Sequence, residues 1–110
     1  MTILLFERNL LWSVRLANAL RALGHEAKVL ETPEDAQGDL AVVNLSEGDR
    51  IEGLVAALRA SRIPILAHAG HREKELMTLG KTLGVDRLAT NGQMANDLAG
   101  VLARALPEAS

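Results

Sequence analysis

Leu40-Ala41-Val42-Val43-Asn44-Leu45 is an apolar run one strand long, broken by a single amide near its carboxyl end. A strand with no polar alternation is covered on both faces, as a central strand of a parallel sheet is. Similar runs recur on either side of it, with helical patterns between them. Upstream, Thr2–Phe6 is closed by Glu7-Arg8-Asn9, and Ala27–Leu30 supplies a briefer strand. Downstream, Pro64-Ile65-Leu66-Ala67 begins with a proline, which suits the first residue of a strand, and Arg87–Ala89 is a weak fifth.

The intervening segments carry helix signals. Leu10, Val14, Ala17, Leu20 and Leu23 recur every three or four residues, predicting an apolar stripe on a helix capped by Asn9 and closed by a left-handed Gly24. Thr32-Pro33-Glu34-Asp35 has the order of an N-cap, a first-turn proline and acids, so a short helix or turn is expected there. Ile51, Leu54, Val55 and Leu58 mark a third helix; Glu75, Leu76, Leu79 and Leu83 mark a fourth, stopped by Gly84. Met94, Leu98, Val101, Leu102 and Ala105 predict one last helix before Pro107. Strands alternating with helices imply right-handed crossovers, hence an α/β, flavodoxin-like, doubly wound five-stranded parallel sheet in three α/β/α layers. Residues 1–106 are expected to form the single domain, and 107–110 a frayed tail.

In such sheets ligands gather at the carboxyl ends of the strands, beside the switch point between strands one and three. The residues expected there are Glu7, Arg8, Asn9, Asn44, Ser46, His68, Ala69, Gly70, His71, Thr90 and Asn91.

Composition narrows the function. The 110 residues are 48% apolar with Trp12 and Phe6 the only aromatics, and the formal net charge is -2. That balance gives no general attraction to nucleic acid or to an anionic membrane. The chain has no cysteine, which removes thiolate catalysis and Cys-ligated metals and fits a cytoplasmic location. Ile3–Phe6 is too short for a signal-peptide core or a membrane span. No glycine spacing cradles a phosphate, and Ser46 has no triad setting, so neither a cofactor nor an enzymatic activity is expected.

Several segments, in order, resemble bacterial response-regulator receiver domains. They are Ile3-Leu4-Leu5-Phe6-Glu7-Arg8-Asn9, the helix end Leu23-Gly24-His25-Glu26, Asp39–Leu45, Arg62-Ile63-Pro64-Ile65-Leu66 and Leu83-Gly84-Val85-Asp86-Arg87-Leu88. The resemblance implies a site of two acids after the first strand, a phosphoacceptor aspartate on the third, a hydroxyl on the fourth and a lysine on the fifth. Carboxylates there hold Mg²⁺, the aspartate attacks phosphorus, and the hydroxyl and lysine stabilise the transferred oxygens. The corresponding positions carry Glu7, Arg8, Asn44, Ala69 and Asn91, and Gly92 follows where the family has proline. Only Glu7 keeps its chemistry, so the resemblance implies a degenerate, pseudo-receiver site. An amide is no nucleophile for an acyl phosphate, and alanine has no hydroxyl. Arg8 is expected to stand in for the cation, bridging Glu7 and the Asn44 carbonyl.

The function expected is therefore a stand-alone, phosphorylation-independent receiver-like protein that binds a protein partner in regulation or signalling. By resemblance, a homodimer would form through the fourth helix, fifth strand and fifth helix, beside Met77, Leu79, Met94, Leu98, Val101 and Leu102, aliphatics read mostly as core. The alternative is a small-ligand or metal site in a crevice lined by Arg8, Asn44, His68 and His71. Two histidines fall short of a zinc ligand set, so no metal is expected, and His68 is read as a neutral loop residue.

Overall fold

The computed structural model describes residues 1–105; the expected tail at 107–110 lies outside the described residues. Five strands, β1 (Thr2–Phe6), β2 (Glu26–Val29), β3 (Leu40–Asn44), β4 (Ile65–Ala69) and β5 (Arg87–Thr90), form one parallel sheet in the order β2-β1-β3-β4-β5. The order reverses between β1 and β3, so the crevice of the doubly wound fold opens at their carboxyl ends.

Alternation along the strands divides the core. Ile3, Leu5, Val42 and Leu66 face one layer, made by α1 (Leu10–Ala22), α4 (Asn91–Asn96) and α5 (Leu98–Ala105). Leu4, Phe6, Val43, Ala67 and Ala69 face the other, made by α2 (Ile51–Ala60) and α3 (Lys74–Leu83). Both faces are covered, which is why the strand sequences show no polar alternation. No helix among the described residues is long and apolar enough to cross a membrane.

Local signals account for most boundaries. The Asn9 side chain accepts from the Trp12 amide at 3.2 Å and opens α1. Gly84, at φ 76°, closes α3 in the left-handed region that glycine adopts without a Cβ clash. Arg59 reaches across from α2 and donates to the Leu83 and Gly84 carbonyls at 3.2 and 2.6 Å, satisfying acceptors that the helix end leaves free.

Three expectations are corrected. The buried face of α1 is Ser13, Leu16, Ala17 and Leu20, whereas Leu10 and Val14 are 78% and 58% exposed and Leu23 also stands in solvent. Ser13 disguised the register: its hydroxyl donates to the Leu10 carbonyl at 3.1 Å, so a polar residue occupies the core side at little cost. Of the helix or turn expected at Thr32–Asp35, the chain takes the turn, with Asp35 at φ 55°. The last helix is two: Thr90 and Gln93 make a reciprocal capping box at the start of α4, and Asp97, at φ −143°, breaks the helix before α5 begins. Finally β4 runs to Ala69, which places His68 and Ala69 on the strand rather than in the loop after it.

The corrected face of α1 is testable within one helix. Leu16→Ala should cost about 2–5 kcal/mol in urea unfolding because it opens a cavity in the core. Leu11→Ala, a short distance away on the solvent side, should cost at most about 0.5 kcal/mol.

Candidate functional site

β1 ends at Phe6, paired with Val43, so Glu7 emerges beside Asn44 at the end of β3. Register continues across the sheet: Asn44 pairs with His68, and Ala69 with Thr90. Glu7, Asn44, His68 and Asn91 are thereby brought to one end of four neighbouring strands.

Glu7 is buried, and its carboxylate is supplied with donors by its neighbours. The Asn44 Nδ2 group donates to Oε1 at 2.9 Å and to Oε2 at 3.2 Å, and the Asn9 backbone N–H donates to Oε2 at 3.3 Å. The other half of the Asn44 amide is equally committed. Its Oδ1 accepts from the Ser46 N–H at 3.0 Å and the Ser46 hydroxyl at 2.7 Å, which starts the 3₁₀ stretch Leu45–Arg50. Two donors facing Oδ1 fix the orientation of the amide and aim its NH₂ at Glu7.

Arg8 does not bridge Glu7 and Asn44, which corrects the sequence expectation. Its backbone N–H donates to Glu47 Oε1 at 2.8 Å, and its Nε lies 3.5 Å from Glu47 Oε2, which Arg50 also approaches at 3.8 Å. The physical reason is that the Asn44 amide already meets Glu7, while the Arg8 backbone N–H holds the Glu47 carboxylate beside its own side chain. The Glu47 side chain is 8% exposed and that of Arg8 65%, so Arg8 covers the acid from the solvent side.

His68 is 1% exposed and lies beneath the crevice, on the α1 and α4 side of β4. Its Nδ1 is 2.7 Å from Asn91 Oδ1, and its ring centroid is 6.2 Å from that of Trp12, with the planes at 44°. Asn91 Oδ1 accepts, so Nδ1 carries the proton and Nε2 presents a lone pair. Nε2 lies 3.8 Å from Glu7 Oε1 and has no hydrogen-bond partner among the described residues. Burial pushes the His68 pKa below its ordinary 6.5, against the opposing pull of the Asn91 hydrogen bond and of the Glu7 and Glu47 charges. His68 is therefore a neutral core residue, not the loop residue expected.

The crevice above is an open depression of about 400 Å³ lined by Glu7, Arg8, Asn9, Trp12, Asn44, Ser46, Glu47 and Asn91. Of the four residues expected to line a ligand crevice, Arg8 and Asn44 do so. His68 lies below its floor and His71 is exposed in the turn after β4, so the two imidazoles do not converge. Ala69 is buried on the α2 and α3 side and contributes nothing to the crevice. Glu47 and Trp12, which do contribute, were missed; the lone tryptophan one turn into the first helix was the available signal for Trp12.

A Mg²⁺ ion, as receiver chemistry would require, does not fit this donor set. The Glu7 carboxylate is occupied by an amide NH₂, which donates and cannot ligate, and the other carboxylate lining the crevice, Glu47, is held by Arg8 and Arg50.

Neither a protein-family model nor a curated protein matches the sequence. Solved structures do match. The chain is similar to the chemotaxis protein CheY4 of Vibrio cholerae (TM-score 0.79, 17% identity, 96% of this chain and 98% of that one). It is also similar to a CheY-like response-regulator receiver domain protein of Methanospirillum hungatei (TM-score 0.77, 16% identity, 93% and 90%). NtrX of Brucella abortus matches over 96% of this chain but 26% of its own length (TM-score 0.80, 20% identity). At these identities the likeness shows the fold, that of CheY-like receiver domains.

Two outcomes follow from the site. The folded-state pKa of His68 is below its unfolded value, so the unfolded chain binds that proton more readily. Its contribution to stability is full above about pH 6.5 and is lost as pH falls from there through the folded pKa. Urea midpoints measured from pH 7.5 downward should drop on this account, and His68→Leu should flatten the decline. Asn44→Asp replaces a donor with a second carboxylate against Glu7 and should cost about 1–3 kcal/mol at neutral pH. The deficit should shrink in acid, where one of the two carboxyls takes up a proton.

Proposed function

We propose that the chain is a receiver-like signalling or regulatory protein that works by protein contact, without phosphorylation and without enzymatic activity. The observation that carries this reading is the amide of Asn44 donating into the buried carboxylate of Glu7. At the end of β3, where receiver chemistry needs a nucleophilic carboxylate next to a bound cation, a neutral group satisfies Glu7 with no cation. The switch apparatus around it is also gone. Ala69 has no hydroxyl to follow a phosphoryl oxygen, and the Asn91 side chain is engaged with His68 rather than carrying a positive charge. A protein with this site holds one conformation, and its signal lies in whether its partner finds it.

The test has two arms. Incubation with a small phosphodonor and Mg²⁺ should leave the intact mass unchanged, and a phosphoryl adduct on the folded chain would defeat the proposal. In native lysate the chain should run in a complex larger than the free protein, unaltered by the phosphodonor. Recovery solely as free monomer would defeat the protein-contact half.

A further inference from the structure

No helix stands between β2 and β3, and the chain leaves the end of β2 through a turn. A depression of about 330 Å³ opens there, beside the crevice over Asn44 and more enclosed than it. Its apolar side is made by Phe6 and Leu54, both buried, with Leu10, Val29 and Leu30. A site at the small end of the roughly 300–1,000 Å³ range of ligand pockets suits a compact molecule rather than a nucleotide.

The rest of the lining is charged: Glu7, Arg8, Glu31, Glu47 and Arg50. Glu7 is already supplied by the Asn44 amide and the Asn9 N–H. Two acids and two arginines are left, and their bonding is incomplete. Glu47 accepts one hydrogen bond, at Oε1 from the Arg8 backbone N–H. Arg8 Nε and Arg50 Nη1 approach its Oε2 at 3.5 and 3.8 Å, longer than hydrogen bonds, although the Glu47 side chain is only 8% exposed. No side-chain nitrogen of Arg8 donates a hydrogen bond among the described residues. Arg50 is fixed by Nη2 on the Glu31 carbonyl, and the exposed Glu31 carboxylate makes no ion pair among the described residues.

Charge and shape together select the ligand. A simple anion would be set against the two acids, and a simple amine against the two arginines. A molecule that carries both charges beside a short apolar branch matches all three parts of the lining.

We propose that this depression binds a free apolar α-amino acid. Its side chain would lie against Phe6, Leu30 and Leu54, its carboxylate on Arg8 and Arg50, and its ammonium group on Glu47 and Glu31. The inference goes beyond the protein-contact reading and does not depend on it.

The full chain is titrated by calorimetry with L-leucine and L-phenylalanine. Two fragments of leucine run alongside: 3-methylbutylamine, which lacks the carboxylate, and 4-methylpentanoate, which lacks the ammonium group. L-Glutamine, of similar size with a polar side chain, tests the apolar side. At least one apolar amino acid should bind saturably, and each fragment and glutamine should bind about tenfold more weakly or worse, as expected for one charge-assisted contact or an unmatched polar group. Arg8→Gln, at a side chain 65% exposed, should weaken the amino acid by a similar factor without weakening the amine, a split that general loss of structure would not produce. Val29→Trp, at an edge-strand position 49% exposed, should fill the depression and weaken both. If a variant does not fold, the ligand series on the unaltered chain decides. The proposal is overturned if neither amino acid binds saturably up to about 10 mM. It is equally overturned if a fragment or glutamine binds as tightly as the better amino acid, or if either folded variant binds that amino acid undiminished. A native complex larger than the free chain would stand whatever these titrations give, so the two readings fail separately.

Discussion

The amide of Asn44 set against the carboxylate of Glu7 is the contact on which the chemistry of the sheet end depends. A buried carboxylate must be supplied with donors or a cation, because an unpaired charge away from water costs several kcal/mol, on the order of the desolvation it has lost. Two strands meeting in parallel bring one acid and one amide into register, and the amide supplies its NH₂ to both carboxylate oxygens. Its carbonyl is meanwhile consumed by Ser46 in starting the turn that follows. One side chain thus supplies donors to the buried acid and shapes the loop beside it. Neither task leaves it free for anything else.

Much of the fold was legible because parallel sheets write themselves plainly in apolar runs. Thr2–Phe6 and Leu40–Asn44 are continuous because both sheet faces are covered, and Ile51, Leu54, Val55 and Leu58 are buried where their spacing put them. Failures arose where a polar side chain found a local partner. Ser13 bonded back to its own helix and entered the core, shifting the apparent stripe and hiding Leu16. Asp97 interrupted a periodic segment that looked continuous, since a break of one residue leaves the spacing on either side almost intact. His68 was mistaken for a loop residue because an imidazole in a strand contradicts the apolar pattern that defines such a strand, until Asn91 is seen to satisfy one of its nitrogens.

The site was legible in its identities and less so in its connections. Glu7 and Asn44 bond each other, and Asn91 lines the same crevice, as strand order requires. The partner of Arg8 could not be read, since it depends on the course of the stretch after β3, where Gly48 takes φ 75° and Glu47 is brought back toward β1. Periodicity says nothing about such a turn. An arginine also has enough reach to choose among several acids, and here its own backbone N–H already binds Glu47.

His68 joins the site to the helix layer. Its ring contacts Asn91 on one side, faces Glu7 on another and lies near Trp12 on α1. Trp12 in turn lines both the crevice over Glu7 and a depression beside Leu11. The Trp12 ring, the imidazole and the carboxylate that Asn44 holds thus lie in succession from α1 to the strand ends. In a phosphorylated switch, chemistry at the strand ends would move a distant surface. Here Asn44 bonds Glu7 and Asn91 bonds His68, so these side chains at the strand ends hold one another in place.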